Sequence, residues 1–373
     1  MHPLTTYLTD KLPAMTDLLV EICRTESFSA DKVGVDAVQT IIQRELHARG
    51  AAVTVFEQPE TGNHVLGVWN YGAGSPVALI LHVDTVHPRG SFDARFKIEG
   101  GKLYAPGVFD MKASSVIALY AVQALQDEGV LPKREIRMLF TSDEEIGSHT
   151  SEQLIVDTAH GAALAMVMEP ALADGKLKSS RRGVGGFKVV THGRASHAGG
   201  GHEQGINAIQ EMAHHILKIQ ALTDYVRGIA TTVSDIKGGV ATNVVPDRCE
   251  IYIDTRANKH SDADYLTTQI QGLQPVLPEA RIEISGGFER PPMECNDERL
   301  RIFERMKAIV APIMALTHGP SGAGSDAAFT APIAPTMDGL GAVGDGLHAV
   351  DEYIWLDSLV ERSAMNALIL RDW

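Results

Sequence analysis

Val77-Ala78-Leu79-Ile80-Leu81-His82-Val83-Asp84-Thr85 is an apolar run without polar alternation that stops abruptly at a histidine and an aspartate. A short run of this kind, bounded by polar residues, reads as a strand buried on both faces. Working outward, Ala52–Phe56, Val65–Trp69, Glu135–Phe140 and Ala163–Met168 are further β-rich segments, and Leu18–Arg24 and Val35–Arg49 carry helical periodicity. Met111–Leu125 is apolar nearly all round, which predicts a buried helix. Strands alternating with helices predict an α/β fold, a largely parallel sheet covered by helices.

The texture changes near Arg181. Gly186–Thr191 reads as a strand, and Gln204–Leu222 as a helix with Ile206, Ile209, Met212, Ile216 and Ile219 on one stripe. Gly228–Asp235 and Arg248–Asp254 read as paired strands, Ser261–Leu277 as a helix and Arg281–Gly286 as a strand. That β-α-β-β-α-β order predicts an inserted α+β ferredoxin-like domain. The expected division is therefore 1–180 plus 291–373 for one domain and 181–290 for the other. After the insert, α/β texture returns with a helix over Leu300–Leu316, a strand near Pro335 and a closing helix over Trp355–Leu370.

A chain of 373 residues favours two domains over one. The net charge of −14, with no basic block, argues against nucleic acid or an anionic membrane as partner. The N-terminal segment predicts an amphipathic helix, with neither a signal-type apolar core nor an apolar run long enough to span a bilayer, so the expected location is the cytoplasm. Cys23, Cys249 and Cys295 are scattered and form no Cys-x-x-Cys pair, so any metal must be held by histidines and carboxylates.

Such residues stand where strands end. His82 and Asp84 close the run quoted above, and Asp110 precedes the buried helix. Asp143-Glu144-Glu145 follow the strand ending at Phe140, Glu169 follows Met168, and His348 follows another predicted strand. In open parallel sheets the C-terminal strand ends line the binding crevice. Singly, each has a plain explanation: a His-x-Asp pair is usually a surface pair, and an aspartate before a helix is usually a cap. Jointly they form a set able to hold two divalent ions. Asp110 is the natural bridge, His82 with Glu169 would hold one ion, and Glu145 with His348 the other. The mixed nitrogen and oxygen donors suit zinc, with cobalt or manganese as alternatives. Asp84 can accept the second N–H of His82 and fix its tautomer. Glu144 is then the candidate general base, moving a proton from water to the leaving nitrogen.

His82-Val-Asp84-Thr-Val, Gly107-Val-Phe-Asp110-Met-Lys112, Asp143-Glu144-Glu145-Ile-Gly147, Glu169-Pro170, Ala195-Ser-His197-Ala-Gly199 and Gly324-Ser-Asp326-Ala together resemble the M20 metallopeptidase family. The match is nearest its glutamate carboxypeptidase (carboxypeptidase G2-like) branch. The resemblance covers nearly the whole chain. It implies a two-zinc catalytic domain interrupted by a lid domain that forms a homodimer. It places the metal ligands on His82, Asp110, Glu145, Glu169 and His348, the base on Glu144 and the orienting aspartate on Asp84. It also implies that His197 stabilises the oxyanion and that Asn243 and Arg290 grip the substrate's carboxylate. The implied substrate is a small peptide or N-acyl amino acid with a free carboxylate. The chain departs from the family where Ala113-Ser114 replace the usual Gly-Gly, a change expected to bear on substrate fit more than on metal binding.

Rival readings are weaker. Gly183-Val-Gly185-Gly186 and Gly322-Ala-Gly324 do not sit in a dinucleotide-binding βαβ context. No Gly-x-Ser-x-Gly elbow supports a serine hydrolase. A catalytically dead binding module is expected to have lost the base or a ligand, and all are present. Within the enzyme class, glutamate release is the expectation, with an N-acyl-amino-acid deacylase or a dipeptidase as alternatives.

Overall fold

A computed structural model describes residues 2–92 and 95–373. The chain divides into two compact units. One takes in the chain up to Ser180, Cys295–Ser321 and Ser325–Trp373; the other is Arg181–Glu294 with Gly322–Gly324.

The first unit is built on an eight-stranded sheet. Its strand order is Ala52–Phe56, His64–Trp69, Ile136–Thr141, Val77–His82, Leu164–Val167, Thr336–Asp338, Leu177–Arg181 and His318–Ser321. The four strands from Ile136–Thr141 to Thr336–Asp338 are mutually parallel, and antiparallel neighbours flank them. All six residues of Val77–His82 are buried, and their sizes explain how. Val77, Leu79 and Leu81 join the main core, packed with the helices Pro3–Arg24, Ala113–Asp127 and Asp357–Asp372. Ala78 faces the other way and meets Ala159, Ala162, Ala165 and Ala334, small side chains that let the helix Glu152–Ala159 approach closely. Large residues on one face and alanines on the other thus cover the sheet on both sides.

The segment Val108–Asp127 is long and apolar enough to cross a membrane by composition, which corrects the expectation that no such run exists. Its apolarity has a different cause, because 94% of that window is buried inside the fold. Two helix ends also need correction. The helix expected to reach Leu316 spans Asp297–Val310, started by the Asn296 side chain accepting from Arg299 N and stopped ahead of Pro312. The helix expected to reach Leu277 spans His260–Gln271. Pro275 and Pro278 cannot continue it, and the freed N–H groups of Val276 and Leu277 donate to the buried Glu211 carboxylate at 2.8 and 2.7 Å.

The second unit carries a four-stranded antiparallel sheet in the order Ala230–Gly238, Arg248–Ala257, Gly183–His192 and Arg281–Arg290. Helix Ala208–Gln220 buries Ala208, Met212 and Ile219 with Phe187, Val189, Ile251 and Ile253 of the sheet.

Near the end of the first unit, Arg362 is fully buried and donates to three backbone carbonyls: Gly341 at 2.7 Å, Gly175 at 3.1 Å and Gly339 at 2.5 Å. Burial pulls its pKa down to about 10, so it stays charged at neutral pH. Replacing it with methionine strands three carbonyls. Arg362→Met is expected to lower unfolding stability by about 3 kcal/mol or more, read from the urea midpoint; a shift near zero would contradict this account of the loop.

Candidate metal centre

His82 is the last residue of its buried strand, so the sheet fixes its backbone. Glu144 and Glu145 begin a short helical turn just after Ile136–Thr141, and Glu169 lies two residues beyond Leu164–Val167. Asp110 is carried by the turn Val108–Lys112, and the Asp110–Met111 peptide bond is cis. Gly107 opens that turn with φ +67°, where a Cβ would lie 2.3 Å from the Thr85 methyl; only glycine fits. His348 was expected to follow a strand and does so, though the strand is not one of the main sheet. It follows the two-residue strand Gly344–Asp345, which pairs with Tyr353–Trp355 in a separate small sheet.

These segments converge. His82 Nε2 lies 3.1 Å from Asp110 Oδ1 and 3.7 Å from Glu169 Oε1. His348 Nε2 lies 3.3 Å from Asp110 Oδ2 and 3.2 Å from Glu145 Oε2. The Asp110 carboxylate therefore offers one oxygen to each histidine–carboxylate pair. Donor atoms of His82, Asp110 and Glu145 all fall within 4.8 Å of one another, as do those of His82, Glu144 and Glu169.

Electrostatics describe a cluster that needs positive charge. Burial would raise the Asp110 pKa, yet the His348 and His82 imidazoles hold it far below the carboxylate range. Burial opposes a charge on His82, but Asp110 and Asp84 raise its pKa well above the usual value. Asp110 and Glu145 raise that of His348 to about 10. Glu145 is pushed up to about 7 by burial, with His348 opposing and Asp110 adding to the shift. Its Oε1 is buried without a hydrogen-bond partner among the described residues. An orphaned carboxylate oxygen inside a ring of carboxylates and imidazoles fits a cation.

Supporting contacts extend past the sequence reading. His82 Nδ1 lies 3.0 Å from the Asp84 carbonyl oxygen and 3.5 Å from its carboxylate. The Asp84 carboxylate accepts the Glu144 and Glu145 backbone N–H groups, each at 3.2 Å, and the Ser29 hydroxyl at 2.7 Å. It thereby ties the His82 strand to the Glu144–Glu145 turn. Asp143 accepts from Thr150 N and Ser151 Oγ and shapes the same turn. The most consequential omission is Glu352. It is fully buried and accepts from Gly107 N at 3.1 Å, Phe109 N at 2.7 Å and Asp110 N at 2.9 Å, and pairs with His87 Nε2 at 2.8 Å. Nothing in its residue type or spacing signalled this role, because three of its four partners are backbone N–H groups. Ala113 and Ser114 are fully buried. A Cβ on Gly341 would meet Ser114 Oγ at 2.0 Å and the Glu169 carbonyl at 2.8 Å, so Ser114 stands behind Glu169 rather than at an open surface.

Of the residues expected to touch substrate, His197 and Asn243 are neighbours in the second unit. Ser196–His197 pairs with Val244–Val245, and Ala198 N donates to Asn243 O at 2.9 Å. His197 is exposed, and its Nδ1 accepts the N–H groups of Gly199 at 3.1 Å and Gly200 at 3.0 Å. That fixes the ring proton on Nε2. Arg290 closes the strand Arg281–Arg290, opposite Val184.

Comparison with known proteins follows the same line. Residues 78–372 match the profile described as Peptidase family M20/M25/M40. Carboxypeptidase G2 of Pseudomonas sp. (strain RS-16) is 29% identical, over 98% of this chain and 90% of the relative. Succinyl-diaminopimelate desuccinylase of Dinoroseobacter shibae is 26% identical, over 96% of this chain and 100% of the relative. Among solved structures, the YXEP protein of Bacillus subtilis, described as a dinuclear metal-binding peptidase, superposes with a TM-score of 0.70 at 14% identity. That superposition covers 97% of this chain and 98% of the other.

Proposed function

The chain belongs to peptidase family M20/M25/M40 and is a metal-dependent peptidase or amidohydrolase; from that premise we propose that it hydrolyses an amide bond beside a free carboxylate, releasing a C-terminal glutamate. The carrying observation is the Asp110 carboxylate shared between two histidine–carboxylate pairs. His82 and Glu169 would hold one divalent ion, Glu145 and His348 a second, and Asp110 both. Two such ions, with zinc suited to these donors, would polarise the scissile carbonyl and lower the pKa of the attacking water.

The chain's own residues do the rest. Glu144 is buried next to Glu145, with its backbone held by Asp84. It takes the proton from the attacking water and delivers it to the leaving nitrogen. His197, with its proton on Nε2, donates to the oxyanion. Asn243 and Arg290 hold the substrate's carboxylate, Arg290 in bidentate fashion. The Arg181–Glu294 unit acts as a lid and as the contact surface of a homodimer.

The deciding experiment compares hydrolysis of an N-acyl glutamate with that of the same compound bearing an α-carboxamide. The free acid is expected to react about 10²-fold faster or more, because the amide removes the negative charge that Arg290 would grip. Equal rates would overturn the carboxylate requirement. The desuccinylase relative favours a second reading, removal of an acyl group from another amino acid; activity confined to such substrates in the same screen would select it.

His197→Ala is expected to lower kcat about 10²- to 10³-fold while leaving thermal unfolding unchanged, since the side chain is exposed. A wild-type rate would remove His197 from the chemistry.

A further inference from the structure

Glu352 and the four groups bonded to it come from three segments, each of which carries a member of the metal centre. His87 lies five residues after His82. Gly107 and Phe109 belong to the turn that presents Asp110, and Glu352 itself closes the turn that holds His348. That last turn is internally bonded, Ala349 N to Gly346 O at 2.8 Å and Glu352 N to Ala349 O at 3.2 Å, with His348 at φ +61°. Glu352 Oε1 accepts from Phe109 N and Asp110 N, and Oε2 from Gly107 N and pairs with His87 Nε2. One fully buried carboxylate on the His348 turn therefore holds the backbone at Asp110 and the side chain of His87, five residues beyond His82.

We infer that Glu352 is a positioning residue that sets how the two ion sites share Asp110, and that it governs affinity for the second ion above all. The inference rests on the two-ion reading given above. The orientation of the Asp110 carboxylate, one oxygen toward each histidine, depends on the backbone at Phe109 and Asp110. Those are the N–H groups that Oε1 holds. The distance from Asp110 to His348 depends on the turn that Glu352 anchors. Loosening the clamp leaves His82 on its rigid strand but frees His348 and the bridge relative to it. The first ion is therefore retained better than the second.

Glu352→Gln tests this with little change of shape. The amide keeps one acceptor oxygen, but its NH2 must face N–H donors where Oε2 stood. The chelated full-length protein is titrated with Zn²⁺, and the Co²⁺-loaded form is read by visible absorption. Wild type is expected to bind two ions. Glu352→Gln should bind the second about 10- to 100-fold more weakly and show an altered Co²⁺ spectrum. Ile251→Ala, a change in the separate core of the Arg181–Glu294 unit, serves as the control for lost stability and should bind as wild type does. His87→Gln, which replaces one partner only, should shift the second affinity in the same direction by less, and it carries the test should Glu352→Gln fail to fold. Wild-type affinities and spectrum in both variants would overturn the inference alone, as would an equal loss in Ile251→Ala. A wild-type chain that binds no ion would overturn the metal-centre reading, and this inference with it.

Discussion

Glu144→Gln is expected to lower kcat about 10²- to 10⁴-fold with both ions still bound. The two roles open to Glu144 differ in what they lose. Its carboxylate lies in a group with His82 and Glu169 whose donor atoms are within 4.8 Å of one another, so a ligand role is geometrically open. The pairs around Asp110 are complete without it, however, and Asp84 holds its backbone in place independently of the side chain. A base loses the proton relay when it becomes an amide; a ligand loses the ion. Metal content measured beside kcat separates the two. Slow turnover with two ions retained supports the base, whereas slow turnover with an ion missing makes Glu144 a ligand. A rate near wild type removes it from the chemistry.

Asp110→Ala is expected to have the largest effect of any single substitution, abolishing binding of the ion pair and reducing hydrolysis to background. Both histidine–carboxylate pairs reach the centre through this one side chain. Its removal also takes away the carboxylate that both the His82 and His348 imidazoles now contact. The fold should survive. Glu352 grips the turn through main-chain N–H groups, which alanine retains. Circular dichroism and elemental analysis together give the check. A folded Asp110→Ala protein with two bound ions would show that Asp110 is not the bridge.

The central strand and its histidine were legible in the sequence for a physical reason. A strand buried on both faces leaves an unbroken apolar run, and the polar residue that ends it marks the sheet's edge. Glu145 and Glu169 were legible by the same rule. Two of the flanking strands were not: Leu177–Arg181 and His318–Ser321 are short, and the second reads His-Gly-Pro-Ser, with none of the alternation that identifies a strand. The small sheet of Lys97–Glu99, Lys102–Tyr104, Gly344–Asp345 and Tyr353–Trp355 uses two or three residues per strand, too few for any period to register, which is why it was not read as a sheet of its own. Glu352 was invisible for another reason. Three of its partners are backbone N–H groups more than 240 residues away in sequence, and backbone groups leave no signature in residue types. Asp84 was read as the partner of His82, but its bonds to the Glu144 and Glu145 N–H groups needed the fold to appear.

The most direct test of the account is the rate of N-acyl-glutamate hydrolysis as Zn²⁺ is returned to the chelated protein in measured equivalents. The account predicts negligible hydrolysis without ions, and activity that reaches its full value only as the second equivalent per chain is bound. Full activity in the chelated protein, or no amide hydrolysis at two bound equivalents, would contradict it.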